Sequence, residues 1–218
     1  EEVGGGSDPL GLVGKSSTRV DGFARLPEMH QKPSLFTHIV PDDILCEASA
    51  KNRWFLGACA AVAEYPAWIQ AAFGHATRLS LEGRYCVRLY HPGRAAFVHV
   101  SVDDRVPTCG GSPAFAGITG AGDIWVALME KAFAKLCGSY RSTEGGAAAY
   151  GLLYLCGGGA AESWRRQGPR VWRRARTEWH GTAGADRVDR RGAEAMVDDG
   201  RAHGAELPAA AEATLRMV

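Results

Sequence analysis

The stretch Glu47-Ala-Ser-Ala-Lys-Asn-Arg53-Trp-Phe-Leu-Gly-Ala-Cys59-Ala-Ala-Val-Ala-Glu-Tyr65 decides how this chain folds. From Trp54 to Ala63 it is unbroken small and apolar sequence. A helix that is apolar all round belongs inside a core. The residues ahead of it are short and polar, as expected of a loop feeding the helix N-terminus. That position carries the positive end of the helix dipole and free N–H groups, so it is where a reactive thiol is most readily ionised. This chain places Arg53 there.

Working outward, Leu35–Cys46 reads as an extended approach, with a turn at Pro41-Asp42-Asp43. The helix runs from about Arg53 to Tyr65, and Pro66 suits the first turn of a second short helix over Ala67–Phe73. Arg84–Tyr90 and Ala96–Val102 alternate as two strands joined by His91-Pro92-Gly93-Arg94. His99 falls out of phase with the apolar positions and reads as a solvent-facing strand residue. Cys109–Gly122 reads as loop. Asp123–Cys137 has the clearest helical stripe: Trp125, Leu128, Met129, Ala132, Phe133 and Leu136. Asp123 is expected as its N-cap, with Glu130 and Lys131 on the opposite face and Gly138 as the stop. Ala147–Cys156 reads as a short apolar helix.

Composition narrows the function classes. Of 218 residues, 46% are hydrophobic and 22% charged, with a formal net charge of +1, the profile of a soluble globular protein. So small a charge gives no support for nucleic-acid or anionic-membrane binding. Residues 164–201 hold ten Arg and three Trp, but Asp186, Asp189, Glu194, Asp198 and Asp199 dilute the positive field. No apolar run is long enough to span a bilayer. Gly11–Ser17 resembles a phosphate loop, but Pro9 stands where the first glycine belongs and no strand precedes it. The six cysteines are widely spaced with no C-x-x-C pair, so they read as reduced, buried thiols. Residues 1–34 are expected as a flexible lead-in, and residues 159–218 as a partial or poorly ordered second unit. The first residue is Glu, so the chain is expected to be part of a larger polypeptide.

Four blocks then match a known family. They are Ile44-Leu45-Cys46-Glu47 with Arg53-Trp54-Phe55-Leu56; Val102-Asp103-Asp104-Arg105-Val106-Pro107; Gly122-Asp123-Ile124-Trp125 through Leu128-Met129-Glu130-Lys131-Ala132-Phe133-Ala134-Lys135; and Glu144-Gly145-Gly146. Over residues 35–158 the chain resembles the protease core of the calpain family, in particular its first subdomain. The wording of the second strand and of Lys131–Tyr140 is most similar to trypanosomatid calpain-like proteins. The resemblance implies an α+β, papain-like fold with a small antiparallel hairpin. It also implies an intracellular place, cytoplasmic or cytoskeleton-associated, and calcium-dependent cysteine endopeptidase chemistry. In that chemistry a Cys attacks the peptide carbonyl, a His and an Asn activate it, and a Gln donates to the oxyanion.

Carried over residue by residue, the pattern breaks at the chemistry. The nucleophile position is Arg53, whose guanidinium stays protonated and cannot attack. The oxyanion donor position is Glu47, whose carboxylate would repel a developing oxyanion. The chain's single asparagine is Asn52, and His203 lies outside any family-like motif. Cys59, inside the apolar run, is expected to be inert, and Cys46 to be structural. The calcium ligands implied by the family map to Asp123 and to the neighbourhood of Asp43, enough for weak binding at most. The expectation is therefore a non-cutting calpain-like domain, a pseudoprotease or regulatory module that acts through protein partners or the rest of a larger polypeptide. The competing expectations are an active calcium-dependent endopeptidase and a truncated gene product without function.

Overall fold

The computed structural model describes residues 18–45, 51–157, 163–166, 169 and 171–175. The chain divides into two compact units, Glu1–Ala161 and Glu162–Val218. Among the described residues of the first, three helices and two small antiparallel sheets surround one long helix. In chain order the elements are β1 (Gly22–Arg25), α1 (Arg53–Ala63), α2 (Pro66–Ala72), β2 (Arg84–His91), β3 (Ala96–Asp103), β4 (Arg105–Cys109), β5 (Ser112–Pro113), α3 (Trp125–Leu136) and α4 (Ala148–Cys156). This mixed architecture agrees with the α+β class expected from the sequence.

Helix α3 is the middle of the unit. Every residue from Trp125 to Ala134 is buried, whichever way it points. Phe133 stacks on Phe55 of α1 with ring centroids 3.9 Å apart and planes within 6°, and Trp54 and Tyr154 meet the same ring edge-on. Helices α1 and α4 approach so closely that a Cβ on Gly151 would lie 2.5 Å from the Ala58 Cβ, which explains the glycine there.

The burial of α3 corrects one expectation. Glu130 and Lys131 do not face solvent; they are 1% and 4% exposed. The back of the helix is made of Ala127, Ala134 and Val126, small enough for other chain to close over it. A buried charge needs partners. The Lys131 ammonium donates to the Asp103 carboxylate at 2.7 Å, to the Asp103 carbonyl at 3.1 Å and to the Arg105 carbonyl. It thereby fixes the corner where β3 passes into β4. Lys131 in turn draws the Asp103 carboxyl below its ordinary range against the upward push of burial.

The β2–β3 hairpin forms as the alternation predicts, in register from Arg84↔Asp103 to His91↔Ala96. Tyr85, Val87, Leu89, Val100 and Val102 face the core, and His99 is exposed. Ala95 makes the tight turn with φ of 48°.

Expectations around β4 are corrected in part. The loop expected over Cys109–Gly122 is strand at Cys109 and Ser112–Pro113: β4 pairs with β5 through Thr108↔Pro113 and Cys109↔Ser112, and with β1 through Gly22↔Thr108 to Arg25↔Arg105. Strand β1 lies in the stretch expected to be a flexible lead-in. Residues 18–34 are tied down instead: Leu26 is fully buried, and the Arg25 guanidinium donates to both oxygens of buried Asp104, at 2.9 and 2.8 Å. Four residues of half-buried strand carry no alternation that would announce them in sequence.

Asp123 is not the N-cap of α3. The helix starts at Trp125 after Ile124, with no side-chain cap. The Asp123 carboxylate instead accepts the backbone N–H groups of Thr37 at 2.6 Å and His38 at 3.1 Å, and Ile124 N–H donates to the Ser34 carbonyl. Asp123 thus staples residues 34–38 to the start of α3.

In the second unit, β6 (Ser163–Arg166) and β7 (Trp172–Ala175) form an antiparallel hairpin with Trp164↔Arg174, Arg165↔Arg173 and Arg166↔Trp172 in register. The phosphate-loop lookalike, Cys46, Glu47 and His203 lie outside the described residues. Among the described residues no helix is long and apolar enough to cross a membrane.

Replacing Lys131 by Met keeps the buried stem but leaves the Asp103 and Arg105 carbonyls without their donor. We expect the variant to lose about 1–3 kcal/mol of stability, seen as a lower urea midpoint at unchanged slope.

Candidate functional site at the start of helix α1

The first turn of α1 is where the sequence places the chemistry, and three elements build it. Asn52 is the capping position, and its backbone carbonyl accepts Phe55 N–H at 2.9 Å and Leu56 N–H at 3.4 Å. Its side chain does not cap the helix. It runs inward, is 1% exposed, and meets the Glu130 carboxyl of α3 with Nδ2 and Oε1 2.6 Å apart. The other Glu130 oxygen accepts Ala116 N–H at 2.9 Å. One buried carboxyl therefore links the start of α1 to the loop after β5.

Arg53 follows as the first helical residue, and it is exposed. A cation here stands at the positive end of the dipole, the unfavourable end. Trp54 turns back to the protein, and its indole N–H donates to the Thr143 carbonyl at 2.8 Å.

The facing wall is the loop after α3. Gly145 N–H donates to the Lys51 carbonyl at 3.1 Å. Gly146 lies flat against the Trp54 indole, where an added Cβ would come within 2.7 Å of Cδ2. Gly145, with φ of 75°, adopts a conformation that side chains disfavour. The Glu-Gly-Gly sequence thus has a packing reason: only glycine lets this backbone reach Trp54.

Among the described residues, no thiol near this turn is poised to react. Cys59 sits inside α1, six residues and about 9 Å beyond Arg53 along the axis. It is fully buried, and burial first, then Glu130 and Cys156, push its thiol well above the ordinary range. Burial pushes Cys137 up to about 12 and also raises Cys156. Cys86 and Cys109 are on β2 and β4.

The expected site residues are only partly brought together. Arg53 is at the helix start, as the spacing predicts. Glu47, at the oxyanion position, lies outside the described residues, as does the side chain of Asp43, whose backbone ends a short turn at Pro41–Asp43. Asp123 is wholly buried and turns both oxygens to backbone N–H groups. Each oxygen is thus already engaged once by this chain's own backbone. Among the described residues there is no group of three or more His, Cys, Asp or Glu placed to hold a metal. Sequence reasoning missed Asn52 and Glu130 as a pair. The available signal was Ala127, Ala132 and Ala134 spread around α3, which marks a helix packed on more than one side.

Comparison with known proteins agrees with this geometry. The family model described as calpain family cysteine protease matches residues 11–184. The chain is 34% identical over 145 residues to the calpain-type cysteine protease ADL1 of Oryza sativa subsp. japonica, covering 66% of this chain and 6% of that protein. It is 36% identical over 132 residues to the calpain-type cysteine protease DEK1 of Zea mays, covering 60% of this chain and 6% of the relative. It is also 30% identical over 144 residues to calpain-5 of Mus musculus, covering 62% and 22% respectively. The chain spans less than a quarter of the length of any of these three relatives.

Gly146→Ala is expected to push the Trp54 indole off the loop and break its bond to Thr143. Overpacking of this kind costs about 1–3 kcal/mol. The loss should appear in thermal melts together with a red-shifted tryptophan emission that is absent in a Trp54→Phe background.

Proposed function

The chain belongs to the calpain family of cysteine proteases, and we propose that within it this domain keeps the protease-core scaffold without cutting peptides. The observation that carries this reading is Arg53, exposed at the first position of α1. A guanidinium has no lone pair to attack with and cannot be deprotonated at working pH. The surrounding framework is nonetheless intact: Trp54 is seated on Gly146 and Thr143, and α1 is packed on α3 and α4. The chain's single asparagine is committed to Glu130, so it does not orient a catalytic histidine.

On this reading the domain works as a regulatory or interaction module, in contact with protein partners or with further parts of a longer polypeptide. The great length of the relatives supports the second possibility. Within the family, the wording of β3 and of Lys131–Tyr140 favours a trypanosomatid-type member. Calcium is proposed to bind weakly at most, because Asp123 is engaged by Thr37 and His38.

The test has two arms. The natural chain should show no labelling by a peptidyl epoxide that alkylates active-site thiolates, and no turnover of a fluorogenic peptide, with or without calcium. Arg53→Cys should restore labelling, since a thiol at this helix start is activated by the dipole. Calcium-dependent labelling or turnover by the natural chain would sink the reading.

Titration with millimolar calcium is expected to move the thermal midpoint by less than about 1 °C, the mass-action result for a ligand near or below its dissociation constant. Differential scanning fluorimetry checks this directly.

A further inference from the structure

The contact between Asn52 and Glu130 joins two buried side chains. Nδ2 and Oε1 are 2.6 Å apart. The oxygen and nitrogen of a side-chain amide are told apart only by their partners. With the amide nitrogen toward Glu130, Asn52 Oδ1 is buried with no donor among the described residues.

The surroundings of Glu130 favour a proton on it. The carboxyl is 1% exposed, and burial outweighs its two hydrogen bonds, raising its pKa to about 7. The groups that face it carry no compensating positive charge. From α1 comes the Cys59 thiol, from the segment after α3 the Tyr140 hydroxyl, both themselves pushed up by burial. From the loop after β5 comes the Ala116 N–H. Its chain neighbour Lys131 is turned to Asp103 and the β3–β4 corner.

We propose that Glu130 donates a carboxyl proton to the Asn52 amide oxygen, and that losing this proton turns the amide over, making the pair a pH-sensing joint under the first turn of α1. Counting unpaired groups supports the two states. A protonated Glu130 beside the amide nitrogen leaves both its own O–H and Asn52 Oδ1 without partners. Turning the amide over pairs those two and leaves only Nδ2. An ionised Glu130 reverses the preference, because the carboxylate can only accept. The proton moves between Glu130 and solvent, and no other bond changes. Asn52 supplies the carbonyl that receives the first helical N–H groups, so Glu130 is a positioning residue for the start of α1. This holds whether or not the domain cuts peptides.

The sign of the pH effect follows. Glu130 is raised above its unfolded value, so between about pH 4.5 and pH 7 the folded chain holds a proton that the unfolded chain has released. Its contribution to stability is complete below that window and is lost as pH rises through it.

Two measurements on the 218-residue chain test the proposal. Because Asn52 is the single asparagine, selective 15N-asparagine labelling gives one side-chain amide pair. We expect its resonances to titrate near neutral pH, in step with the 13C signal of one glutamate carboxyl. Glu130→Gln, whose amide can donate to Oδ1 and accept from Ala116, should hold them constant. Between about pH 5 and pH 8 the natural chain should also lose on the order of a hundredfold in its folding equilibrium constant relative to Glu130→Gln. If that variant does not fold, the natural chain's titration decides alone. Asn52 resonances that stay constant through neutral pH, or an equal pH slope in the two folded proteins, would overturn the proposal.

Discussion

Helix α3 is enclosed by the rest of its unit while carrying two ionisable side chains at adjacent positions, and that constraint organises much of what surrounds it. Adjacent helical residues point about 100° apart, so Glu130 and Lys131 cannot share one partner. Each recruits its own. Lys131 gathers the β3–β4 corner, which fixes where β4 starts and so where β1 pairs. Glu130 gathers Asn52 and Ala116, which fixes the start of α1 against the loop after β5. The two sheets and the site helix are therefore registered to one another through neighbouring residues of a single helix. Buried polar groups cost stability unless paired. Here the pairing is also what specifies the arrangement.

The legible part of the sequence was the part with strong period. The apolar run of α1, the stripe of α3 and the alternation of β2 and β3 each announce an element whose burial is dictated by its own side chains. The illegible part depended on distant partners. Strand β1 is four half-buried residues, and nothing in Gly22–Arg25 foretells its pairing with Arg105–Thr108. Asp123 stands in sequence where an N-cap would, yet Thr37 and His38 lie 86 and 85 residues away and claim its carboxylate. Glu130 and Lys131 looked like a solvated face because charge usually means exposure. The alanines behind them were the contrary signal, since a solvent-facing side has no need of small residues.

At the site itself, sequence was a good guide to position and a poor guide to packing. The spacing placed Arg53 at the helix start, and the structure agrees. What spacing did not reveal is how the framework around that residue is held. Trp54, Asn52, Gly145 and Gly146 hold the helix start through a ring contact, a buried polar pair and backbone bonds. Each of these faces the protein.

That division bears on the proposal that the scaffold keeps its form without cutting peptides. A residue at the first position of a helix adds no intrahelical N–H bond of its own, and Arg53 is exposed. Exchanging a thiol for a guanidinium there carries an electrostatic cost of about 0.3–1 kcal/mol from the dipole when exposed. The same change at Asn52 or Trp54 would strand a buried partner: the Glu130 carboxyl in one case, the Thr143 carbonyl in the other. Losses of that kind are several-fold larger. Stability therefore constrains the walls of the site through their buried partners, whereas position 53 lies on the solvent-facing side of the same turn.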